Sequence, residues 1–236
     1  VLPVLGLVAW EGLARAGALP ANWLPAPSAI AEAIRGLAAT GELWGHLAAT
    51  LARVGAGFAL GAVAATALGV LAGASPSARA LLDPTLQALR SVPSLAWIPI
   101  FLLWLGIQES SKVTLIAVGA FFPVYLNLQE GIRGLDPRLV EVGHVYGYRG
   151  LRLVRHVLLP ATLPAYLVGL RGGLGLAWMF VVAAELMGAS RGLGYLMVDG
   201  QASSRADLIL ASLLLFAVLG KATDALVVLA GRRGQG

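Results

Sequence analysis

Of 236 residues, 58% are hydrophobic, 12% are charged and none is cysteine. Soluble domains carry roughly 25% charged residues, and twelve acidic side chains are too few to clothe a soluble protein of this size. The composition therefore excludes a soluble globular domain, and the lack of cysteine excludes disulfides and thiolate metal sites. A net charge of +5 does not imply nucleic acid, because the basic residues fall mostly between apolar runs, as in loops held at an anionic leaflet. Thirty glycines suit helices that approach closely in lipid.

A membrane-crossing helix needs about 20 mostly apolar residues. The chain begins at Val1 rather than Met, so a piece is expected to precede it. Residues 1–19 form the first expected span, with Glu11 and Arg15 four apart as a self-paired couple. No small-residue cleavage signature precedes Pro20, so a span is preferred to a signal peptide. After the break at Pro20, Pro25 and Pro27, Ser28 reads as the N-cap of a short amphipathic helix at the outer surface, with Ile30, Ile34 and Leu37 on one face. The second span covers residues 46–73, and Gly57, Gly61, Ala65, Gly69 and Gly73 form a smooth ridge along it. The third covers 84–106, interrupted by Pro93 and Pro99, and the fourth covers 112–132 with Pro123 inside. Such prolines bend helices, as around a translocation path.

Residues 133–159 are the most polar long segment, and a fifth span follows at 160–186. Residues 187–206 are too polar and glycine-rich to cross, so they dip or lie at the outer surface before a sixth span at 207–231. The expected fold class is all-α, a polytopic membrane protein with about six transmembrane helices. Its expected parts are residues 1–45 (first span and outer amphipathic helix), a core at 46–231 carrying a cytoplasmic loop at 133–160, and a basic tail at 232–236. Six spans place both termini on one side. Arg79, Arg133, Arg138, Arg149, Arg152, Arg155, Arg232 and Arg233 fall in loops on that side, against Arg35, Lys112, Arg191 and Arg205 on the other. This asymmetry makes the termini cytoplasmic.

Asp136 and Pro137 open a helix as N-cap and first helical residue. It runs to about Tyr146 and stops at Gly147, where a left-handed residue is needed. A second helix covers about 149–158, with Leu151, Val154 and Leu158 on one face and Arg149, Arg152 and His156 largely on another. A basic amphipathic hairpin of this kind is either a clip on the membrane surface or a docking element for a soluble partner.

The spacing within it carries a resemblance. Importer permeases share Glu-Ala-Ala, three residues, Gly, nine residues, then Ile-x-Leu-Pro. Here Glu141-Val142-Gly143, Gly147 and Val157-Leu158-Leu159-Pro160 keep that spacing, with Val142 and Gly143 replacing the alanines and making the first helix less regular. Leu89-Arg90-Ser91-Val92-Pro93, Gly169-Leu170-Arg171, Ala177-Trp178 through Ala184-Glu185, and Gly192-Leu193-Gly194-Tyr195 add to it. Over nearly its whole length the chain resembles the nitrate/sulfonate/taurine-type permeases of ATP-binding-cassette importers. The resemblance implies the type I permease fold in a bacterial inner membrane, two permease subunits around the pathway, two cytoplasmic ATPase subunits and an extracytoplasmic solute-binding protein; a homodimer is expected, with pairing to a different permease as the alternative. It implies that Glu141, Gly147, Val157, Leu159 and Pro160 form the coupling element seated on the ATPase. It implies a small solute, such as nitrate, a sulfonate, taurine or a related organic molecule, moved by alternating access. ATP and magnesium then belong to the partner, because the chain has no phosphate loop ending in Gly-Lys-Ser/Thr. No catalytic residue, cofactor or metal site is expected on this chain, and no nucleic acid.

Ionisable groups inside spans are costly and mark functional positions. Arg90, Arg171, Trp178 and Glu185 are the candidates for lining a pathway; Arg171 reads equally as a donor to backbone carbonyls at a dimer interface, and Trp178 and Glu185 as packing residues, whereas Lys221 and Asp224, three apart, read as a self-neutralising pair. His46, His144 and His156 lack metal-ligand spacing and read as surface or interfacial residues. An ion-coupled secondary transporter is the alternative reading; it calls for inverted repeats and intramembrane acids, and no internal repeat is found. A membrane enzyme needs clustered His, Asp or Glu, which the sequence lacks.

Overall fold

The computed structural model describes residues 2–20 and 22–233, and the described secondary structure is helical throughout. Val1 of the first expected span and residues 234–236 of the expected tail lie outside the described residues. In order, the helices are α1 (Leu2–Arg15), α2 (Pro27–Thr40), α3 (Glu42–Ala74), α4 (Pro76–Ser91), α5 (Ile98–Leu105) and α6 (Glu109–Arg133). They continue as α7 (Pro137–Val145), α8 (Leu151–Leu153), α9 (Leu159–Ala161), α10 (Leu163–Leu186), α11 (Leu193–Ala202) and α12 (Ala206–Arg233).

Among the described residues, α3, α6, α10 and α12 are long and apolar enough to cross a membrane, and the bent pair α4 and α5 raises the number to five if it counts as one span. The chain is thus all-α and polytopic, with four to five spans among the described residues where about six were expected. The described part of the first is a helix of 14 residues, short of a crossing. The third is broken outright rather than kinked. Val92 is extended (φ −77°, ψ 122°) ahead of Pro93, as the proline ring requires, and the chain turns through 90° between the two arms. Pro99 disturbs nothing, because it sits in the first turn of α5 where no amide partner is needed.

Ser28 does not cap α2. The helix starts one residue earlier, at Pro27, and the Glu11 carboxylate accepts from both the Ser28 amide (3.0 Å) and its hydroxyl (2.7 Å). Glu11 also takes the expected bond from Arg15, at 2.5 Å.

The chain divides into two compact units: residues 1–53 with 181–220, and residues 54–180 with 221–236. In the second unit α6 is the centre, with twelve of its 25 residues buried. The glycine ridge of α3 is spent on it. A Cβ on Gly57 would come within 2.6 Å of Ile116, one on Gly73 within 2.8 Å of Ile132, and one on Gly61 would run into the Ala117 carbonyl. From the other side α10 approaches as closely, with Gly173 against the Ala120 carbonyl and Gly169 against that of Pro123. Tyr125 and Gln129 of α6 both donate to Asp83 of α4, at 3.0 and 2.9 Å.

Gly61→Leu is expected to cost about 1–3 kcal/mol or more, since the obstacle is backbone and cannot rotate away. Thermal unfolding in detergent should show a lowered midpoint, with Gly55→Ala, which meets open space, unchanged. Equal midpoints would mean that the α3–α6 contact does not hold the unit.

Candidate functional site

The polar segment between α6 and α10 folds as a helical hairpin in the second unit. Its first arm, α7, opens on Asp136, whose carboxylate accepts from the Arg138 amide at 2.9 Å, with Pro137 at the first position. It closes on Gly147, at φ +77°. The Gly147 amide bonds the His144 carbonyl and the Tyr148 amide bonds that of Gly143, both at 2.9 Å. These are the two bonds of a Schellman ending, which needs a left-handed residue at that place. A Cβ on Gly147 would meet nothing within 4 Å, so backbone conformation rather than space demands glycine.

The second arm begins at α8, two residues later than expected. It then widens into a π turn over Val154–Leu158, closed by the Leu159 amide on the Val154 carbonyl, and continues as α9. The wider turn lets two consecutive residues point inward. Val157 packs on Gly143, and Leu158 is buried with Leu128 and Ile132. Gly143 is the contact between the arms: a Cβ there would lie 2.7 Å from Leu153 and 3.0 Å from Val157. The departure at this position thus tightens the hairpin rather than loosening it. The rings of Tyr148 and His156 stack with centroids 5.0 Å apart.

This framework holds apolar side chains outward. Val145 is 86% exposed, Leu151 81% and Tyr146 75%. A groove of about 280 Å³ lies among Val142, Tyr146, Tyr148, His156, Val157 and Pro160. Of the five coupling candidates, Glu141, Gly147 and Pro160 are exposed, while Val157 and Leu159 are partly buried. Apolar groups displayed by a rigid, otherwise polar hairpin form an interaction surface.

The pathway candidates fall in both units. In the second unit, Arg171 of α10 donates to both oxygens of Asp224 of α12, at 2.8 and 3.0 Å. The expected Lys221–Asp224 pair is therefore replaced by a two-pronged pair across helices, the geometry a planar guanidinium favours. Seven residues further along α10, Trp178 donates to the Thr223 hydroxyl at 2.8 Å. Arg90 stands exposed in the last turn of α4.

Glu185 belongs to the first unit, is 1% exposed and has both oxygens engaged. One oxygen accepts from Arg53 and from Thr50, each at 2.8 Å; the other accepts from the Gly194 amide at 2.7 Å. Arg53 also donates to the Arg191 carbonyl at 2.6 Å. Together with Leu193 donating to Thr50 (2.9 Å) and Gly192 to His46 Nδ1 (3.1 Å), three successive amides at the start of α11 find side-chain acceptors. These would otherwise be the orphan donors of a helix N-terminus. His46 is correspondingly buried rather than a surface residue, and its ring stacks on Tyr195. Sequence reasoning missed His46, Thr50 and Arg53, although their i, i+4, i+7 spacing on one helix face was a usable signal. Among the described residues no group of three or more His, Cys, Asp or Glu could hold a metal.

Residues 57–234 match the family described as binding-protein-dependent transport system inner membrane component. The permease SsuC of Bacillus subtilis, whose name refers to aliphatic sulfonates transport, is 44% identical over 99% of this chain and 84% of its own length. The taurine transport system permease protein TauC of Escherichia coli is 32% identical over 90% of this chain and 79% of its own. The nitrate import permease protein NrtB of Leptolyngbya laminosa is 33% identical, over 82% and 69% respectively. Matching residues and helical architecture together define a membrane permease subunit of an ATP-binding-cassette importer, a transport component without catalytic chemistry of its own. The chain belongs to the family of binding-protein-dependent inner membrane components.

The Arg53–Glu185 pair makes a separable prediction. Arg53→Met or Glu185→Met alone strands a buried charge and should cost about 3–5 kcal/mol. The double variant should recover part of that loss in thermal unfolding. Strictly additive losses would show that the two charges do not depend on each other.

Proposed function

We propose that two copies of this chain enclose a path for a small anionic solute, and that the hairpin of residues 133–160 seats each copy on an ATPase subunit. The observation that carries this reading is the hairpin itself: a glycine-closed, tightly packed projection that displays Val145, Tyr146 and Leu151 outward. Glu141, Gly147, Val157, Leu159 and Pro160 form the coupling element, the exposed ones meeting the ATPase and the part-buried ones keeping the arms rigid. A soluble binding protein delivers the solute from the opposite side.

Three relatives are named for aliphatic sulfonates, taurine and nitrate, each bearing an anionic group. This supports an anion as cargo, with Arg90 and Arg171 as the cations that meet it and Trp178 bracing the helix beside them. The acids do not support ion coupling. Asp83 is held by Tyr125 and Gln129, Glu185 by Arg53 and Asp224 by Arg171. Both termini and the hairpin are cytoplasmic in this reading, and the start of α11 lies on the outer side.

Differently tagged copies expressed in one cell should co-purify with each other and with the ATPase. Gly147→Val forces a branched side chain into a left-handed backbone at about 1–2 kcal/mol and redirects the second arm. Glu141→Lys reverses a charge at the partner surface, where like charges can cost several kcal/mol. Each variant should keep both tags together at normal membrane levels and lose bound ATPase and transport. Wild-type transport by either variant, or a protein missing from the membrane, would count against a coupling role. Because the chain has no native cysteine, orientation is checked directly. A cysteine at position 149 should be labelled only from the cytoplasm and one at 191 only from outside; labelling of both from one face would refute the topology.

A further inference from the structure

Beneath the 90° break, α3, α4, α5 and α6 leave a cavity of about 370 Å³ whose walls include Leu60, Ala64, Leu89, Trp97, Phe101 and Phe121. Apart from Thr114, whose hydroxyl bonds back to the Ser110 carbonyl, every lining side chain is aliphatic or aromatic. The volume falls within the range of small-molecule sites, about 300–1,000 Å³. Its α6 wall runs from Thr114 to Phe122, which at 1.5 Å per residue lies about 8–20 Å from the Glu109 end. That places it around the middle of a hydrocarbon layer about 30 Å thick.

Arg90 follows directly on Leu89 and stands one helical turn beyond Leu86, another wall residue. It is exposed, and no described residue bonds or pairs with it. A guanidinium within a lipid-embedded segment is costly and by default marks an ion or substrate route. An apolar cavity excludes water and accepts hydrocarbon. A cation at the edge of such a cavity complements a molecule that carries an anionic head and an alkyl tail.

We propose that the cavity seats the alkyl chain of an organic anion whose head meets Arg90, an inference that rests on the anionic cargo proposed above. A phospholipid fits less well, because its phosphate lies at the bilayer surface, about 15 Å from the midplane. A short organic anion brings charge and tail to mid-depth together. A bare inorganic anion gains nothing from these walls.

The test uses the complete complex, with its ATPase and binding protein, in proteoliposomes. ATP-driven uptake of methanesulfonate and hexanesulfonate is compared at equal amounts of assembled complex. Selection by the binding protein is common to all variants and cancels in the ratio to wild type. Ala64→Phe, which fills the cavity, should lower hexanesulfonate uptake about tenfold, the scale on which apolar pockets discriminate, and leave methanesulfonate nearly unchanged. Val118→Phe should reproduce that split, and Arg90→Gln should lower both. Equal effects of the filling variants on both solutes, or none on either, would overturn the site. So would native mass spectrometry showing that Ala64→Phe expels a phospholipid with no dependence on solute chain length. A wild-type complex that imports nitrate but no alkanesulfonate overturns the tail site and leaves the anionic cargo standing. One that imports no anion at all removes the reading beneath it.

Discussion

In a bilayer no water stands ready to satisfy an exposed amide, and no hydrophobic force draws one apolar helix toward another. Helices there are held by contact at short range, and in the second unit of this chain the contact is backbone on backbone along α6. Gly57, Gly61, Gly69 and Gly73 bring α3 against one side; Gly169 and Gly173 bring α10 against another. Close approach multiplies dispersion contacts that are individually small. It also leaves little tolerance, since the atoms met are often carbonyls or branched carbons rather than mobile side-chain ends. The ridge is therefore used up inside the subunit, so the pairing proposed with a second copy would rely on other surfaces. Within the second unit, α12 leaves Leu226 and Leu229 exposed.

The same centre anchors the hairpin. Leu158 is buried with Leu128 and Ile132 near the end of α6, and Leu153, Val154 and Leu159 pack around them. The hairpin is thus joined to α6 through packed side chains, and to α10 through α9 and the turn residue Thr162. The π turn has a structural reason here. Val157 must meet α7 while Leu158 meets α6, and consecutive residues of an α-helix diverge by about 100°. A single wider turn turns both inward, and such turns recur at functional positions.

Much of this was legible in sequence. Asp136, Pro137 and Gly147 act locally, through capping bonds and a backbone angle, so their roles survive any tertiary context. The long apolar runs gave α3, α6, α10 and α12 to within a few residues. What failed was non-local. Pro93 signals a bend, but whether it yields a kink or a 90° break depends on what packs beneath, here Trp97 and Phe101 over α6. Glu185 reads as an isolated intramembrane acid until Arg53, 132 residues away, is placed beside it. Asp224 lies nearer in sequence to Lys221, yet the planar fork of Arg171 takes it. Pairings between helices are set by which faces meet, and hydropathy alone does not say.

The distribution of charge follows from those pairings. Asp224 neutralises Arg171, and Glu185 neutralises Arg53 while capping α11, so each of these cations is already held by a carboxylate. A folded permease gains from such satisfaction, because an unpaired buried charge is expensive. It also loses by it, because a cation bound to its own carboxylate must break that bond to meet a solute. Arg90 escapes the conflict. It sits where α4 ends against the break, exposed, beside a wall of hydrocarbon and without a described acid in reach. The break that removes a continuous third span is what opens that position. Had Pro93 only kinked the helix, residues beyond Arg90 would have continued its turns and covered the approach. The interrupted span and the exposed cation are thus one feature, and the path proposed for a charged solute rests on the place where helical continuity was given up.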